Sequence, residues 1–520
     1  MAGWRACKQC RFAKRKCSRV DINKPCAQCR KRQVPCSKGM KMTRDADLLP
    51  SRGQDGHSPT QDSFDLPQEV IVGLVEHYIN KLHDRPHSLF HLPTLRKQVQ
   101  NREVNKALLL AICSLGSRFS ADPEICLLEE QLTAESKRLI LADLENICLE
   151  GIQTCILIAN LCAAVAKPSS EALFFRIAIS MAQIMQLTVF KLSDSVVVCE
   201  TKKRIWWTLF MADRWYSSGI SLPRQISDCD RPTDLPMDET TFHTLAINQK
   251  VLDTPYKPGL WAHMITLVDL FGPIQDLSRR IVEDDLDEID VDRATHNLSC
   301  KLDLWEEMLP PDTKLTEENL EVHKNRNTGG AFVALHLGFH HYSTLLHFHY
   351  LDARQASHEA RFYAERCKHH AFRYSELLRF AREHEGFEAV YLTVAHMAVV
   401  SSSVLVHTLL FGDEDQISTA RNSLNANFEA LIELEQYWPA LKSMINRLEI
   451  FQNMCLISAN QHTHTLNRWM IRFLIEHALP IEEKVWSIGA FTTADDLQIF
   501  SSETQKLTEQ GRFTSFPLLE

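Results

Sequence analysis

A small cysteine-organised N-terminal domain followed by a large all-α domain is the fold class that this sequence predicts, on three observations. Six of the 16 cysteines fall within the first 36 residues at a repeated spacing. Beyond residue 66, apolar residues recur at steps of three and four, the period of a helix face, with little of the strict alternation that marks strands. Glycine is scarce, 17 in 520 residues. A chain of this length, with 45% hydrophobic residues, has room for two or more domains and the composition of a globular protein.

The N-terminal six are Cys7, Cys10, Cys17, Cys26, Cys29 and Cys36, spaced C-x2-C-x6-C-x8-C-x2-C-x6-C. They form an internal repeat, since Cys7-Lys8-Gln9-Cys10-Arg11 is answered by Cys26-Ala27-Gln28-Cys29-Arg30, and each half closes with a third cysteine. A C-x2-C pair lets two thiolates grip one tetrahedral metal, as zinc prefers. Six thiolates cannot fill two separate four-ligand sites, but they can serve two zinc ions if two of them bridge. The competing reading, a disulfide knot, needs an oxidising compartment. Nothing suggests export, for the stretch from Met1 to Arg5 opens no apolar signal region. The other ten cysteines lack C-x2-C pairing and read as small buried residues.

These residues resemble the fungal zinc binuclear cluster (Zn2Cys6) transcription factors over about residues 5–38. The six cysteines, the basic run from Arg11 to Lys16, and Lys24-Pro25-Cys26 carry the resemblance. It implies two Zn2+ per chain, with Cys7 and Cys26 as the bridging ligands. It also implies a nuclear, sequence-specific RNA polymerase II transcription factor that binds double-stranded promoter DNA at CGG-like half-sites. Lys14, four residues past the second cysteine, is by that resemblance the base reader. Its ammonium suits the O6 and N7 acceptors of guanine. Arg11, Arg15 and Lys16 would contact phosphates, helped by Arg30, Lys31 and Arg32. Ala13 departs from the basic residue often found there, which removes one backbone contact and leaves the base reader intact.

Charge agrees with this division. Residues 1–44 carry seven lysines and seven arginines against Asp21 alone, near +13. The whole chain stands at −9, so the remaining 476 residues balance to −22. Only the head is expected to face a polyanion. Part of its charge offsets the cluster itself, since two Zn2+ with six thiolates leave about −2.

The expected domains are 1–44 for the zinc cluster, 45–66 as linker, 67–480 as the all-α body and 481–520 as a C-terminal tail. The linker composition, rich in Ser, Gly, Asp, Pro and Gln, already begins after Cys36. From Pro67 the stripe Val70, Ile71, Leu74, Val75, Tyr78, Ile79 and Leu82 predicts a helix. It spans about two heptads, short of the three or four of a coiled coil, and is read as the first helix of the body. Apolar faces at 107–112, 153–165, 172–185, 205–216, 331–349 and 428–435 predict further helices. Residues 389–412 hold no charged side chain over a length that could span a membrane. His396, His407 and Ser401-Ser402-Ser403 favour a buried helix, and no membrane association is expected.

Within the body, 172–236 is similar to the regulatory domain that often follows such a cluster. The likeness rests on Glu200-Thr201-Lys202-Lys203-Arg204-Ile205-Trp206-Trp207, then Asp213-Arg214-Trp215-Tyr216, Gly219 and Pro223. Glu200 and Arg204 form an i,i+4 pair, and Ser217-Ser218-Gly219 supplies a helix stop. Trp206, Trp207, Asp213 and Arg214 are expected to hold the domain together rather than to perform chemistry.

The histidines His336, His340, His341, His347 and His349, and His462 and His464, read as packed or surface residues, since no H-E-x-x-H pattern accompanies them. Nucleophile-elbow, phosphate-loop and dinucleotide fingerprints are missing, and no enzymatic activity is expected. The acids and bulky apolar residues interleaved over 494–503 suit an activation segment facing coactivators, and an activator is expected on that basis. A surface helix or frayed tail explains the same residues. A weak homodimer through the helical body is expected as well. A second class of reading stays open: a helical interaction or enzyme module tethered to nucleic acid by a non-specific zinc knob.

Overall fold

Each apolar stripe read from the sequence is a helix in the computed structural model, which describes Cys17, residues 66–85, 87–228, 234–252, 255–351, 357–460 and 468–478, Ser502, and residues 504–514. The stripes lie in Gln68–Lys81, Lys106–Ser117, Leu149–Ala164, Pro168–Ile184, Val196–Gly219, Gly329–His347 and Glu414–Glu435. Further helices include Glu129–Ala142, Leu260–Glu283, Glu288–Glu307, His358–Glu383, Leu392–Phe411 and Leu441–Asn460. No strand ladder forms among the described residues, only isolated bridges at His83–His87 and Met237–Pro258. Residues Met1–Asp65 and Leu66–Glu520 are two separate compact units. The second is the helical one.

Local chemistry sets the helix starts. Asn105 Oδ1 accepts from the Ala107 and Leu108 amides at 2.9 and 3.4 Å, and Ser195 Oγ from Val198 at 3.3 Å. Pro168 opens its helix where a missing amide hydrogen costs nothing. The helix over Ser217-Ser218-Gly219 runs through the glycine, and Ser221, at φ +56°, makes the left-handed turn after it.

Leu74, Val75, Tyr78 and Ile79 are buried against the Lys106–Ser117 helix. The Val70–Leu82 stripe is therefore spent inside the domain. Gly116 permits the approach, since a Cβ there would overlap the Leu74 backbone carbonyl. Gly329–His347 is the most enclosed helix, packed against Leu260–Glu283, Glu288–Glu307, His358–Glu383 and Leu392–Phe411.

Leu392–Phe411 is long and apolar enough to cross a membrane, yet 83% of its most hydropathic window is buried inside the domain. Its serines have protein partners. Ser401 Oγ donates to the Ala371 carbonyl at 2.9 Å, and Asn427 Nδ2 donates to Ser401 and Ser402 at 3.1 Å each. Part of the 481–520 stretch also packs here: Gln452 exchanges hydrogen bonds with the Thr514 backbone at 2.9 and 3.2 Å, and Arg512 reaches the Gly412 carbonyl at 2.9 Å. The rest of that stretch lies outside the described residues, including 494–503 apart from Ser502.

Overpacking so close a crossing typically costs about 1–3 kcal/mol. Gly116→Ala is expected to fall in or above that range in urea denaturation, whereas Gly73→Ala, with open space at its Cβ, should be neutral or stabilising.

Candidate functional site

The helix Val196–Gly219 carries the charged residues of the sequence motif, and it turns them inward. Arg204 has no exposed surface. Its Nε donates to Glu200 Oε1 at 3.2 Å, Nη1 to Ser88 Oγ at 2.7 Å and Nη2 to the Met237 carbonyl at 2.6 Å. The guanidinium also lies 4.4 Å from the Phe242 ring centroid. Glu200 Oε1 accepts a second hydrogen bond from the Met237 amide at 2.8 Å.

Ser88 extends this chain by donating to Asp84 Oδ1 at 2.5 Å. Asp84 Oδ2 receives His243 Nε2 at 3.0 Å, and His83 Nδ1 lies 3.3 Å away. Burial acts to raise the Asp84 carboxyl, but the field of His83 and the hydrogen bond from His243 outweigh it and hold it well below the ordinary range.

His83, Asp84 and His243 bring three ligand atoms within 4.8 Å of one another, as a metal site would. The proton positions argue against that use. His83 Nε2 accepts from the Leu89 and Phe90 amides at 3.3 and 3.1 Å, and His243 Nδ1 from the Leu92 amide at 3.4 Å. Each imidazole therefore carries its proton on the nitrogen facing Asp84. Arg204, 3.7 Å from Asp84 Oδ1, also opposes a second cation. The cluster is a structural clamp.

Asp213 is a second clamp on the same helix. Its carboxylate accepts from the Gln225 amide at 2.9 and 3.1 Å, the Ile226 amide at 2.9 Å and the Tyr216 hydroxyl at 3.0 Å. Arg214 donates to the Ile226 carbonyl at 3.2 Å, and Trp207 Nε1 to the Asp234 carbonyl at 3.1 Å. Trp206 is buried. All four motif residues pack the domain.

The histidines of Gly329–His347 are also interior. His336 donates from Nε2 to the Thr313 carbonyl at 3.0 Å, and His340 meets His370 at 3.0 Å, so the i,i+4 pair does not converge on one ion. Burial lowers His336 to about 4 and His347 and His349 to about 3. His462 and His464 lie outside the described residues. Burial likewise raises the Cys113 and Cys155 thiols to about 12, which leaves them unreactive. Cys300, by contrast, is exposed and departs from the buried reading of the scattered cysteines.

Of the six N-terminal cysteines only Cys17, half-buried, is among the described residues. Cys7, Cys10, Cys26, Cys29 and Cys36 lie outside them, as do Arg11, Lys14, Arg15, Lys16, Arg30, Lys31 and Arg32. The donor set, six sulfurs in two matching halves, fits zinc. Sequence reading found the Glu200–Arg204 pair but missed Asp84, Ser88 and His243. His83-Asp84 stands 159 residues from His243, a separation at which a single sequence offers no signal.

Residues 5–45 match the fungal Zn(2)-Cys(6) binuclear cluster domain, and residues 75–307 match the fungal specific transcription factor domain. The chain belongs to the fungal Zn(2)-Cys(6) transcription-factor family, with a zinc-cluster domain followed by a large all-α regulatory domain. It is 25% identical over 447 residues to the Zn(2)-C6 fungal-type transcription factor FTF1c of Fusarium oxysporum f. sp. lycopersici, covering 78% of this chain and 48% of that protein. It is 25% identical over 425 residues to FTF2 of the same organism, covering 73% of this chain and 39% of the relative. An uncharacterized transcriptional regulatory protein of Schizosaccharomyces pombe is 24% identical over 315 residues, 53% of this chain and 32% of its own length. The chain spans about half the length, or less, of these curated relatives.

Two expected outcomes follow from the interior polar groups. Replacing Arg204 by Met strands a buried carboxylate and is expected to cost about 3–5 kcal/mol. Thermal denaturation should show that loss, and Glu200→Leu in the same chain should recover part of it.

The second concerns acid. His87, His336, His347, His349 and His396 have folded pKa values of about 3 or 4, below the unfolded 6.5. The unfolded chain takes up protons first as pH falls, so stability present above pH 6.5 is lost below it. At pH 5 each costs about 2 kcal/mol. Glu171 and Glu239, raised to about 8 and about 7, oppose this but are outnumbered. The melting temperature should drop steeply between pH 6.5 and pH 5, well above the range in which ordinary carboxylates titrate.

Proposed function

We propose that the chain is a sequence-specific, DNA-binding RNA polymerase II transcription factor that acts in the nucleus, with two zinc ions organising its DNA-reading head. One observation carries the reading: six cysteines in two equivalent halves enclose a run of cationic residues, in a head near +13 joined to a body near −22. A cation cluster of this density supplies affinity for any duplex, and only a positioned base contact supplies sequence preference.

In this reading the thiolates hold both metals and pin the segment from Arg11 to Lys16. Lys14 donates to guanine within a CGG-like half-site, and Arg11, Arg15, Lys16, Arg30, Lys31 and Arg32 bind phosphates. One such triplet covers about three base pairs, too little to find a gene among the competing sites of a genome. We therefore include a weak homodimer through the helical body in the proposal. Its face lies outside Leu74, Val75, Tyr78 and Ile79, which are buried within the domain. Transcriptional activation, through coactivators recruited by 494–503, belongs to the same proposal.

A binding selection at controlled salt tests the reading. Recovery of a triplet motif supports it, and equal affinity for all duplexes supports the alternative, a helical module tethered by a non-specific zinc knob. Lys14→Ala should remove most of the preference for the selected site, about 1–3 kcal/mol. Lys16→Ala should weaken all duplexes alike and flatten the salt dependence. A chelator should release two zinc ions per chain and abolish DNA binding.

A further inference from the structure

Eight helices contribute to the walls of a half-open cavity of about 1010 Å3 in the helical domain. Its walls are largely apolar and aromatic, with Phe175, Trp215, Tyr216, Phe271, Tyr342 and Trp438 among them. Phe175 and Tyr216 stack at 5.3 Å, and Trp215 Nε1 donates to the Tyr342 hydroxyl at 2.9 Å, so this wall is pre-formed. A volume of this size is at the upper end of small-molecule sites and far exceeds the space of a few ordered waters.

One side chain in the wall is unlike the others. Glu171 lines the cavity from the first turn of Pro168–Ile184, one helical turn before Phe175 and on the same face. Its carboxylate makes no hydrogen bond or ion pair with any described residue. It is half-buried by surface, yet protein encloses it deeply enough that burial pushes it up to about 8. Part of the surface it keeps lines the cavity. Burial alone accounts for the shift, so no charged neighbour compensates it.

None of the cations that line the same cavity acts on Glu171, although Arg176 also acts on the Tyr216 hydroxyl. Arg176 Nη2 donates to the Pro223 carbonyl at 2.7 Å, Arg447 donates to the Phe473 carbonyl and lies over the Phe473 ring, and Lys167 is exposed. A buried carboxyl without a partner is costly. A ligand that supplies the missing positive charge removes that cost and gains a cation–π contact with the adjacent rings.

We propose that this cavity binds a small amphipathic amine, its ammonium group seated on Glu171 beside the stacked Phe175 and Tyr216 rings and its apolar body filling the space toward Trp215 and Trp438. The eight surrounding helices include both Pro168–Ile184 and Leu441–Asn460, so an occupant bridges early and late parts of the domain. The inference is independent of the DNA-binding proposal, since no residue lining the cavity lies before Leu82.

The test uses the full-length chain and two probes of equal size, phenylbutylamine and phenylbutanol. Binding is followed by the rise in melting temperature and by calorimetry. The amine should bind about tenfold to a hundredfold more tightly than the alcohol, as expected for a charged hydrogen bond in place of a neutral one. Glu171→Gln keeps the shape of a side chain already held neutral, so fold and alcohol affinity should be unchanged while the amine loses its advantage. The proposal is overturned if the alcohol binds as well as the amine, if neither probe raises the melting temperature, or if Glu171→Gln leaves amine affinity intact. Should that variant melt below the wild type, Phe175→Leu provides a second reading, and equal losses for both probes there would remove the cation–π contact from the proposal.

Discussion

The Arg204 guanidinium is the constraint on which the first half of the helical domain depends. Removing that charge from water costs several kcal/mol, and only well-placed partners offset it. They come from separate stretches of chain: Glu200 on the same helix, Ser88 in the segment after the first helix, and the Met237 carbonyl in the loop beyond residue 234. Ser88 then passes the requirement on to Asp84, and Asp84 to His243. No segment can shift without leaving a buried polar atom unpaired, so the network acts as a registration device. Asp213 does the same work two turns later, holding the amides of Gln225 and Ile226 against the helix.

Interior polarity of this kind makes the domain selective about protonation. His87, His336, His347 and His349 are held neutral because burial disfavours their charged form, and His336 and His243 serve as single-proton donors in fixed tautomers. The same physics separates the Asp84 clamp from a metal centre with a similar set of side chains. Ligand identity permits a cation there, but the proton positions and the neighbouring guanidinium oppose it. Glu171 is the contrasting case: a carboxyl buried without a network, at the edge of a space large enough for a ligand.

The two halves of the charge distribution divide the labour. Cationic residues concentrate in the 44-residue head, while the body carries the opposite sign. An acidic body repels a polyanion and leaves the head as the favoured contact surface.

Some of this was legible in the sequence and some was not. The cysteine spacing and the 3.6-residue periodicity identified the family and the all-α class, because each is a local pattern set by bond geometry and helix pitch. The Glu200–Arg204 pair was readable for the same reason, being one helical turn apart. What the pair serves was not readable: in isolation it is a solvated surface pair, and only packing turned it inward to meet Ser88 and Met237. The apolar run at 389–412 and the scattered histidines were ambiguous for a similar cause, since composition does not say what surrounds a helix. The tertiary structure decided that the neighbours are other helices, and that Glu171, unremarkable as the fourth residue of a helix, faces a cavity. Contacts across more than a hundred residues depend on how the helices stack, which is settled by the summed packing of the whole core and not by any stretch of it.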